Sequence, residues 1–189
     1  PRSYPPPLRL YNAVDLHDLI VEPALLLAEN QKAREHYQAR FSHVMVDEFQ
    51  DTSSNQYAFL HSLTEKNRNV CVVGDDDQSI YSWRGANYTN LVNFERDYPE
   101  RLEVKLERNY RSTGTILQAA NRLIANNTNR KGKELWTGID KGHPIELYYA
   151  EDDNDEAKFI AEQIKTLAIR EGIPYSDVGV LVRTNSLSR

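Results

Sequence analysis

Val44-Met45-Val46-Asp47-Glu48-Phe49-Gln50-Asp51-Thr52 decides how this chain is read. A short apolar run ends abruptly in two adjacent acids. Such a run is what a buried strand of a parallel sheet shows. Charge delivered to the carboxyl end of that strand sits where α/β sheets bind their ligands. The chemistry that suits an Asp–Glu pair there is a magnesium ion beside a nucleotide phosphate. One acid holds the metal, directly or through its water, and its neighbour orients or deprotonates the attacking water. Acids also begin many loops after strands simply to stay hydrated, so the pair alone leaves both readings open.

Two further blocks add weight to the first. Val70-Cys71-Val72-Val73 is a second apolar run, and it ends in Gly74-Asp75-Asp76-Asp77-Gln78-Ser79-Ile80-Tyr81-Ser82-Trp83-Arg84-Gly85-Ala86. A third stretch, with Val104 and Leu106 alternating, runs into Glu107-Arg108-Asn109-Tyr110-Arg111-Ser112-Thr113. In this order and spacing the blocks closely resemble motifs II, III and IV of the UvrD/Rep/PcrA family of superfamily I DNA helicases. The resemblance covers nearly the whole chain apart from the first dozen residues.

That resemblance implies an α/β fold made of parts of two RecA-like P-loop NTPase domains, each a parallel sheet flanked by helices, with ATP between them. Residues 1–13 are expected to be an irregular Pro-rich lead-in. Residues 14–101 would be the later part of the first domain, and 102–189 the first part of the second. In the family a large inserted domain follows shortly after the block Val180-Leu181-Val182-Arg183-Thr184-Asn185.

Roles carry over residue by residue. Asp47 resembles the metal-associated acid and Glu48 the base that activates water for ATP hydrolysis. Gln78 resembles the residue that contacts the terminal phosphate, and an amide suits such a sensor because it donates or accepts without changing charge. Arg111 resembles the arginine that reaches the terminal phosphate from the second domain. A guanidinium is planar, always charged and matched to phosphoryl oxygens. Tyr110 resembles a neighbour packed near the nucleotide base, or is an ordinary half-buried tyrosine. Arg84 is expected to bridge acids of the ATP cleft. Gln50 either couples the cleft to the second domain or ties down its own loop. Asp75, Asp76 and Asp77 match a family pattern with local structural roles and are not read as metal ligands.

Tyr81 and Trp83 are one residue apart, so in an extended stretch both rings point to one side. Aromatics so placed can stack on the bases of a single strand without demanding sequence. The resemblance puts Trp83 on the DNA track with Tyr81 nearby. It also brings Arg183 and Asn185 to the DNA backbone, where contacts would be sequence-blind and salt-sensitive; a plain strand-end loop is the alternative.

Composition limits what else the chain can be. Its 189 residues carry a formal charge of −5, with a pI near 5.6, so DNA binding must rest on a local site rather than a basic surface. The single Cys71 reads as a buried, inert thiol, and a reducing cytoplasm fits a chain that cannot form an intrachain disulfide. No apolar run approaches the roughly 20 residues that cross a bilayer. The chain starts at Pro1 without an initiator Met, and its only Met is Met45, so it reads as an excised piece of a longer polypeptide.

Periodicity fills in the rest. Helices are expected over 14–27, kinked or divided at Pro23, and over 31–40, 53–63 and 88–94. Tyr57, Leu60 and Leu63 should face inward. Thr115-x-x-Gln118 has the form of a capping box ahead of another helix, ended by Asn126-Asn127. Asp153-x-x-Glu156 opens a helix whose Ala157, Ile160, Ala161, Ile164 and Leu167 should face inward. Strands are expected at 145–149 and 178–182. Upstream, Asp15-Leu16-His17-Asp18-Leu19 departs from the family at Leu16 and His17, both tolerable on a helix surface.

One element is missing. No Gly-x-x-x-x-Gly-Lys-Ser/Thr loop occurs, nor the later motif VI arginine. The expectation is a parent ATP-dependent 3′–5′ DNA helicase, using ATP and Mg2+ on single-stranded DNA and at single/double-strand junctions, in DNA repair or replication restart. The fragment, without the rest of the parent chain, should hydrolyse little or no ATP. A piece of a RecB/AddA-type helicase-nuclease and an inactive DNA-binding or regulatory module of the same fold are the alternatives.

Overall fold

A computed structural model describes residues 11, 13–87, 89–128 and 130–184, the side chain of Arg84 excepted. Helix α1 (Asp18–Glu29) opens on two acids that satisfy each other's backbone. Asp15 Oδ1 accepts from the Asp18 amide at 2.9 Å, and Asp18 Oδ2 accepts from the Asp15 amide at 3.1 Å. Leu16 and His17 are exposed, but in the turn that precedes the helix rather than on its surface. Pro23 neither ends nor divides α1. It removes one amide, which would have bonded Leu19, and the helix runs on with Ala24 and Leu27 buried. The Asn30 side chain then caps α2 (Gln31–Arg40) by accepting from the Ala33 amide at 3.0 Å.

Strand β1 (Val44–Val46) pairs in parallel with β2 (Val70–Val72), with Val44 opposite Val70 and Val46 opposite Val72. Parallel strands need a crossover. Here it is α3 (Ser54–Thr64), started by a capping box between Ser53 and Gln56 and packed on α1. Tyr57, Leu60 and Leu63 of α3 are buried, as their spacing requires. Helix α4 (Thr89–Asp97) adds Phe94, and Tyr98 follows it. Phe49, Tyr57, Leu60, Phe94 and Tyr98 form one core, against which Val44, Val46, Val70 and Val72 pack. Phe49 is wholly buried, its ring edge-on to Phe94 at 5.5 Å.

The same alternation corrects one expectation. Side chains switch faces at each strand residue. Because the valines face the core, Met45 and Cys71 face away, and both are exposed. The sheet is covered on one face only among the described residues, so Cys71 is not the buried thiol its apolar neighbours suggested.

A second parallel pair joins β3 (Arg108–Asn109) to β4 (Trp136–Thr137), crossed over by α5 (Gly114–Ile124). The expected capping box at Thr115 and Gln118 does not form. Thr113 stands at the cap without a side-chain bond, and the first amides find backbone carbonyls instead. Gly114 N–H donates to Asp140 O at 3.1 Å and Thr115 N–H to Lys141 O at 2.8 Å. The helix ends before Asn126 and Asn127, as read.

By contacts the chain divides into two compact units, residues 1–141 and 142–189. The second is built around α6 (Asp153–Arg170), capped by Asp152, which accepts from the Asp155 amide at 2.8 Å. Gly172, at φ +69°, takes the left-handed position that closes the helix. Tyr148 stacks on Phe159 at 3.8 Å and donates its hydroxyl to Asp155. Ile160, Ile164 and Leu167 are half-buried, but Ala157 and Ala161 are exposed and no residue of α6 is fully buried. The stretches at 145–149 and 178–182, and Val104 to Leu106, form no ladder among the described residues. A strand exists only with a partner for its backbone groups, and apolar patterning alone does not supply one. The fold is nonetheless α/β, with parallel strands flanked by helices. No described helix is long and apolar enough to cross a membrane.

Candidate active site

The two acids sit where β1 ends. Phe49, locked in the core, fixes the turn after them, and its amide donates to Val73 O at 2.9 Å, just past β2. Between strand and anchor lie only Asp47 and Glu48, and the chain reverses direction at Glu48. It adopts φ +49°, ψ 44°, the left-handed region that side chains other than Gly rarely occupy. Strain of this kind, of order 1–3 kcal/mol, persists only where the surroundings hold it, and it clusters at functional sites. Asp47 and Glu48 are both exposed. Asp47 Oδ1 accepts from the Glu48 amide at 2.9 Å.

Behind the acids lies Gln50, only 2% exposed. Its Nε2 donates to Glu48 Oε2 at 2.7 Å, and its Oε1 accepts from the Asp75 amide at 3.0 Å. That orientation of the amide is the one that satisfies both neighbours: a carboxylate only accepts and a backbone N–H only donates. Asp75 Oδ2 in turn accepts one 2.8 Å hydrogen bond from the Gln78 side-chain amide. Glu48, Gln50, Asp75 and Gln78 are thus one connected polar array across the carboxyl ends of two adjacent parallel strands.

The acid run after β2 is held by cations rather than left to repel. Arg130 forks onto Asp77, at 2.9 and 2.7 Å, and the Lys131 amide donates to Asp76 at 2.7 Å. Lys133 lies against Asp75 and reaches Asp76 at 3.1 Å and Asp77 at 3.4 Å. Burial would raise the Asp75 and Asp76 carboxyls. Hydrogen bonds and charge outweigh it, from Lys133 and the Gln78 amide at Asp75 and from the Lys131 backbone and Lys133 at Asp76, and both carboxyls end below the usual range. Burial likewise works against the Lys133 charge, yet its two aspartates hold it above the ordinary lysine value. The three carboxylates lie close enough to surround an ion. Two cationic side chains, Arg130 and Lys133, already pair with them, and the Lys131 ammonium pairs with Glu95 and Glu103 nearby, an arrangement in keeping with a local structural role. A magnesium ion fits Asp47 better: an exposed, hard carboxylate whose second oxygen takes no hydrogen bond among the described residues suits a metal that keeps most of its waters.

The remaining candidates lie on other segments. Tyr81 and Trp83 do not lie on an extended stretch, because Ser82–Arg84 is a 3-10 turn. Their rings still approach to 6.2 Å, and Trp83 is 75% exposed. The side chain of Arg84 lies outside the described residues, as does Asn185. Arg183 is exposed in the second unit. Asn109 Oδ1 accepts from the Arg111 and Ser112 amides at 2.9 and 2.7 Å, shaping the turn that presents Arg111, whose side chain is exposed. Tyr110 is exposed, and the Arg108 guanidinium lies 4.8 Å from its ring and 5.2 Å from that of Trp136. A cavity of about 600 Å³ opens elsewhere, between α5 and residues 130–137, and shares only Arg130 and Lys133 with the acid loop.

Three contributors were not legible as such. Asn90, 1% exposed, donates to Thr52 O at 2.8 Å and Ser53 O at 3.1 Å, fastening the end of the acid-pair segment to α4. Arg130 and Lys133 lie in the run Arg130-Lys131-Gly132-Lys133, whose clustered cations were the one available signal.

Comparison with known proteins matches residues 2–99 to the UvrD/REP helicase N-terminal domain and residues 104–189 to the UvrD-like helicase C-terminal domain. The chain is 47% identical over 189 residues to ATP-dependent DNA helicase UvrD1 of Mycobacterium tuberculosis, covering 96% of this chain and 24% of that protein. It is 47% identical over 177 residues to ATP-dependent DNA helicase PcrA of Staphylococcus aureus, covering 94% of this chain and 24% of that one. The chain therefore spans about a quarter of the length of the curated relatives it matches. Both family domains fall in sequence along it, and between them they take in the acid pair, the Gln78 loop and Arg111: this chain belongs to the UvrD/Rep helicase family.

Proposed function

We propose that this chain is part of an ATP-driven motor that translocates 3′ to 5′ along single-stranded DNA and unwinds duplexes at junctions, in DNA repair or replication restart. Residues 14–101 belong to its first RecA-like domain and 102–189 to its second, in keeping with the two family matches. The observation that carries the reading is the polar array from Glu48 through Gln50 and Asp75 to Gln78, set at the carboxyl ends of β1 and β2. A carboxylate and two side-chain amides joined in this way at the strand ends, where α/β sheets receive ligands, support the reading.

In this reading Glu48 takes the proton of the attacking water and Asp47 holds the metal. Magnesium, when bound with ATP, neutralises charge on the phosphate oxygens. Gln78 meets the terminal phosphate, and its bond to Asp75 passes phosphate occupancy into the loop that leads to Tyr81 and Trp83. Those rings stack on bases of the single strand. Arg111 stabilises the charge that builds on the transferring phosphoryl group, and Tyr110 lies beside the base of ATP. Arg183 and Asn185 add contacts to the DNA backbone. The 189 residues contain no phosphate-cradling Gly-x-x-x-x-Gly-Lys-Ser/Thr loop, so alone they turn over little or no ATP.

Glu48→Gln in the parent polypeptide tests this. DNA-stimulated ATP turnover should fall at least a hundredfold, in line with the roughly 10²–10⁴-fold that general bases contribute, while ATP binding persists. Unchanged turnover removes Glu48 from the chemistry.

A further inference from the structure

The buried side chain between the two strand ends has a role that neither neighbour explains. We propose that Gln50 is a positioning residue that fixes the carboxylate of Glu48 and makes its orientation depend on the Gly74–Gln78 loop. The proposal rests on the reading of Glu48 as the base.

Three observations carry it. First, Glu48 is exposed, on a strained backbone, with several rotatable bonds between that backbone and its carboxylate. Its carboxylate makes one side-chain hydrogen bond among the described residues, the 2.7 Å bond from Gln50. Second, Gln50 is itself immobile. It is 2% exposed, it sits beside the wholly buried Phe49, and its oxygen is committed to the Asp75 amide at 3.0 Å. A donor fixed at one end can orient an acceptor at the other. Third, the opposing loop is shaped around it. A Cβ at Gly74 would fall 2.9 Å from Gln50 Oε1 and 3.3 Å from the Gln50 amide nitrogen, so only glycine lets the loop approach this closely.

Both ends of one amide are thus spent on two segments, one bearing Glu48 and the other Gln78. A shift of the Asp75 backbone pulls on Gln50 Oε1, and the opposite end of the same rigid amide moves the Glu48 carboxylate. The group that responds to phosphate is mechanically joined to the group that activates water. Misplacing a reacting group by about 1 Å can cost on the order of 10²-fold in rate, which is the scale on which such a clamp acts.

The test is a set of variants in the full-length parent, read by steady-state and single-turnover ATP hydrolysis and by direct ATP binding. Gln50→Met keeps the volume and removes both bonds. Gln50→Glu keeps an acceptor for Asp75 and replaces the donor to Glu48 with an acceptor, so it decides the matter if the Met variant does not fold. The expected result is a kcat at least tenfold lower, with KM and ATP affinity within about threefold of the parent. A residue that merely braced the loop would loosen ATP binding too, since Gln78 stands on that loop. On a Glu48→Gln background the Gln50 substitution should cost nothing further. A folded Gln50→Glu variant with parental kcat overturns the proposal while leaving Glu48 as base. Losses that multiply on the Glu48→Gln background overturn it as well. Full turnover by Glu48→Gln alone removes the underlying reading, and the positioning role falls with it.

Discussion

Lys133 Nζ stands 3.1 Å from Asp76 Oδ1, across 57 residues of sequence, with Asp75 and Asp77 also in reach. Their side chains are largely shielded, Asp76 at 7% and Lys133 at 15% exposure. Lys133→Met should therefore cost more than a surface pair and less than a fully buried one, about 1–3 kcal/mol, measured as a lower urea midpoint. The pH dependence follows from the shifts. Asp75 and Asp76 are held below the ordinary carboxyl value, so their contribution is present above about pH 4 and is lost as pH falls through the lowered folded values. Lys133 is held above 10.5, so its share is intact below that pH and is lost as pH rises through the raised folded value. Stability should be flat between these limits, and the acid-side slope should be shallower in Lys133→Met. An identical slope in both proteins would place the acid sensitivity elsewhere.

Glu48 offers a separation of stability from activity. At φ +49° a glycine fits without the steric penalty, but it adds freedom to the unfolded chain. These effects nearly cancel, so Glu48→Gly should lie within about 1 kcal/mol of the parent in stability while losing DNA-stimulated turnover. A large loss of stability would mean that the left-handed turn depends on the Gln50 bond rather than on Phe49.

How much of this was readable in advance depends on range. The acid pair, β1, β2 and the Gln78 loop are local in sequence, and each announces itself by an apolar run broken by charge. From sequence Gln50 is either a coupling residue or a tie for its own loop; only its 2% exposure shows an amide consumed by two partners. Cys71 misled because a strand of four apolar residues is the same whether one face or both are covered. The same gap separates Ile145 and Leu147, or Val180 and Val182, from the strands expected of them: apolar side chains state a preference for burial, whereas a ladder needs a partner strand that periodicity does not name. Arg130 and Lys133 meet the acid loop through contacts 53 to 58 residues apart, beyond any pattern a local reading detects.

Trp83 separates DNA contact from folding. At 75% exposure it contributes little to the core, so Trp83→Ala should change stability by no more than about 0.5 kcal/mol. Loss of a stacked base should weaken single-strand affinity of the parent by about 1–3 kcal/mol, roughly 5- to 150-fold, with little dependence on sequence. Fluorescence anisotropy with homopolymeric oligonucleotides measures both points. Affinity equal to the parent's would move the DNA track off this loop.

Arg111 provides the sharpest contrast between side chain and backbone. Its amide is bound to Asn109 Oδ1 at 2.9 Å, which sets the turn, while its exposed guanidinium carries no structural contact among the described residues. Arg111→Ala should therefore leave the unfolding midpoint nearly unchanged and lower kcat by about 10³-fold or more, the scale of an arginine acting on a transferring phosphoryl group. Arg111→Lys should recover little of that, because an ammonium cannot reproduce the planar fork. Asn109→Ala should fall between them: the guanidinium remains, but the turn that presents it loses two hydrogen bonds, so kcat drops less than in Arg111→Ala and stability drops more. Equal kcat in Arg111→Lys and the parent would reduce the role of Arg111 to simple charge, and the requirement for a shaped donor at the terminal phosphate would be gone.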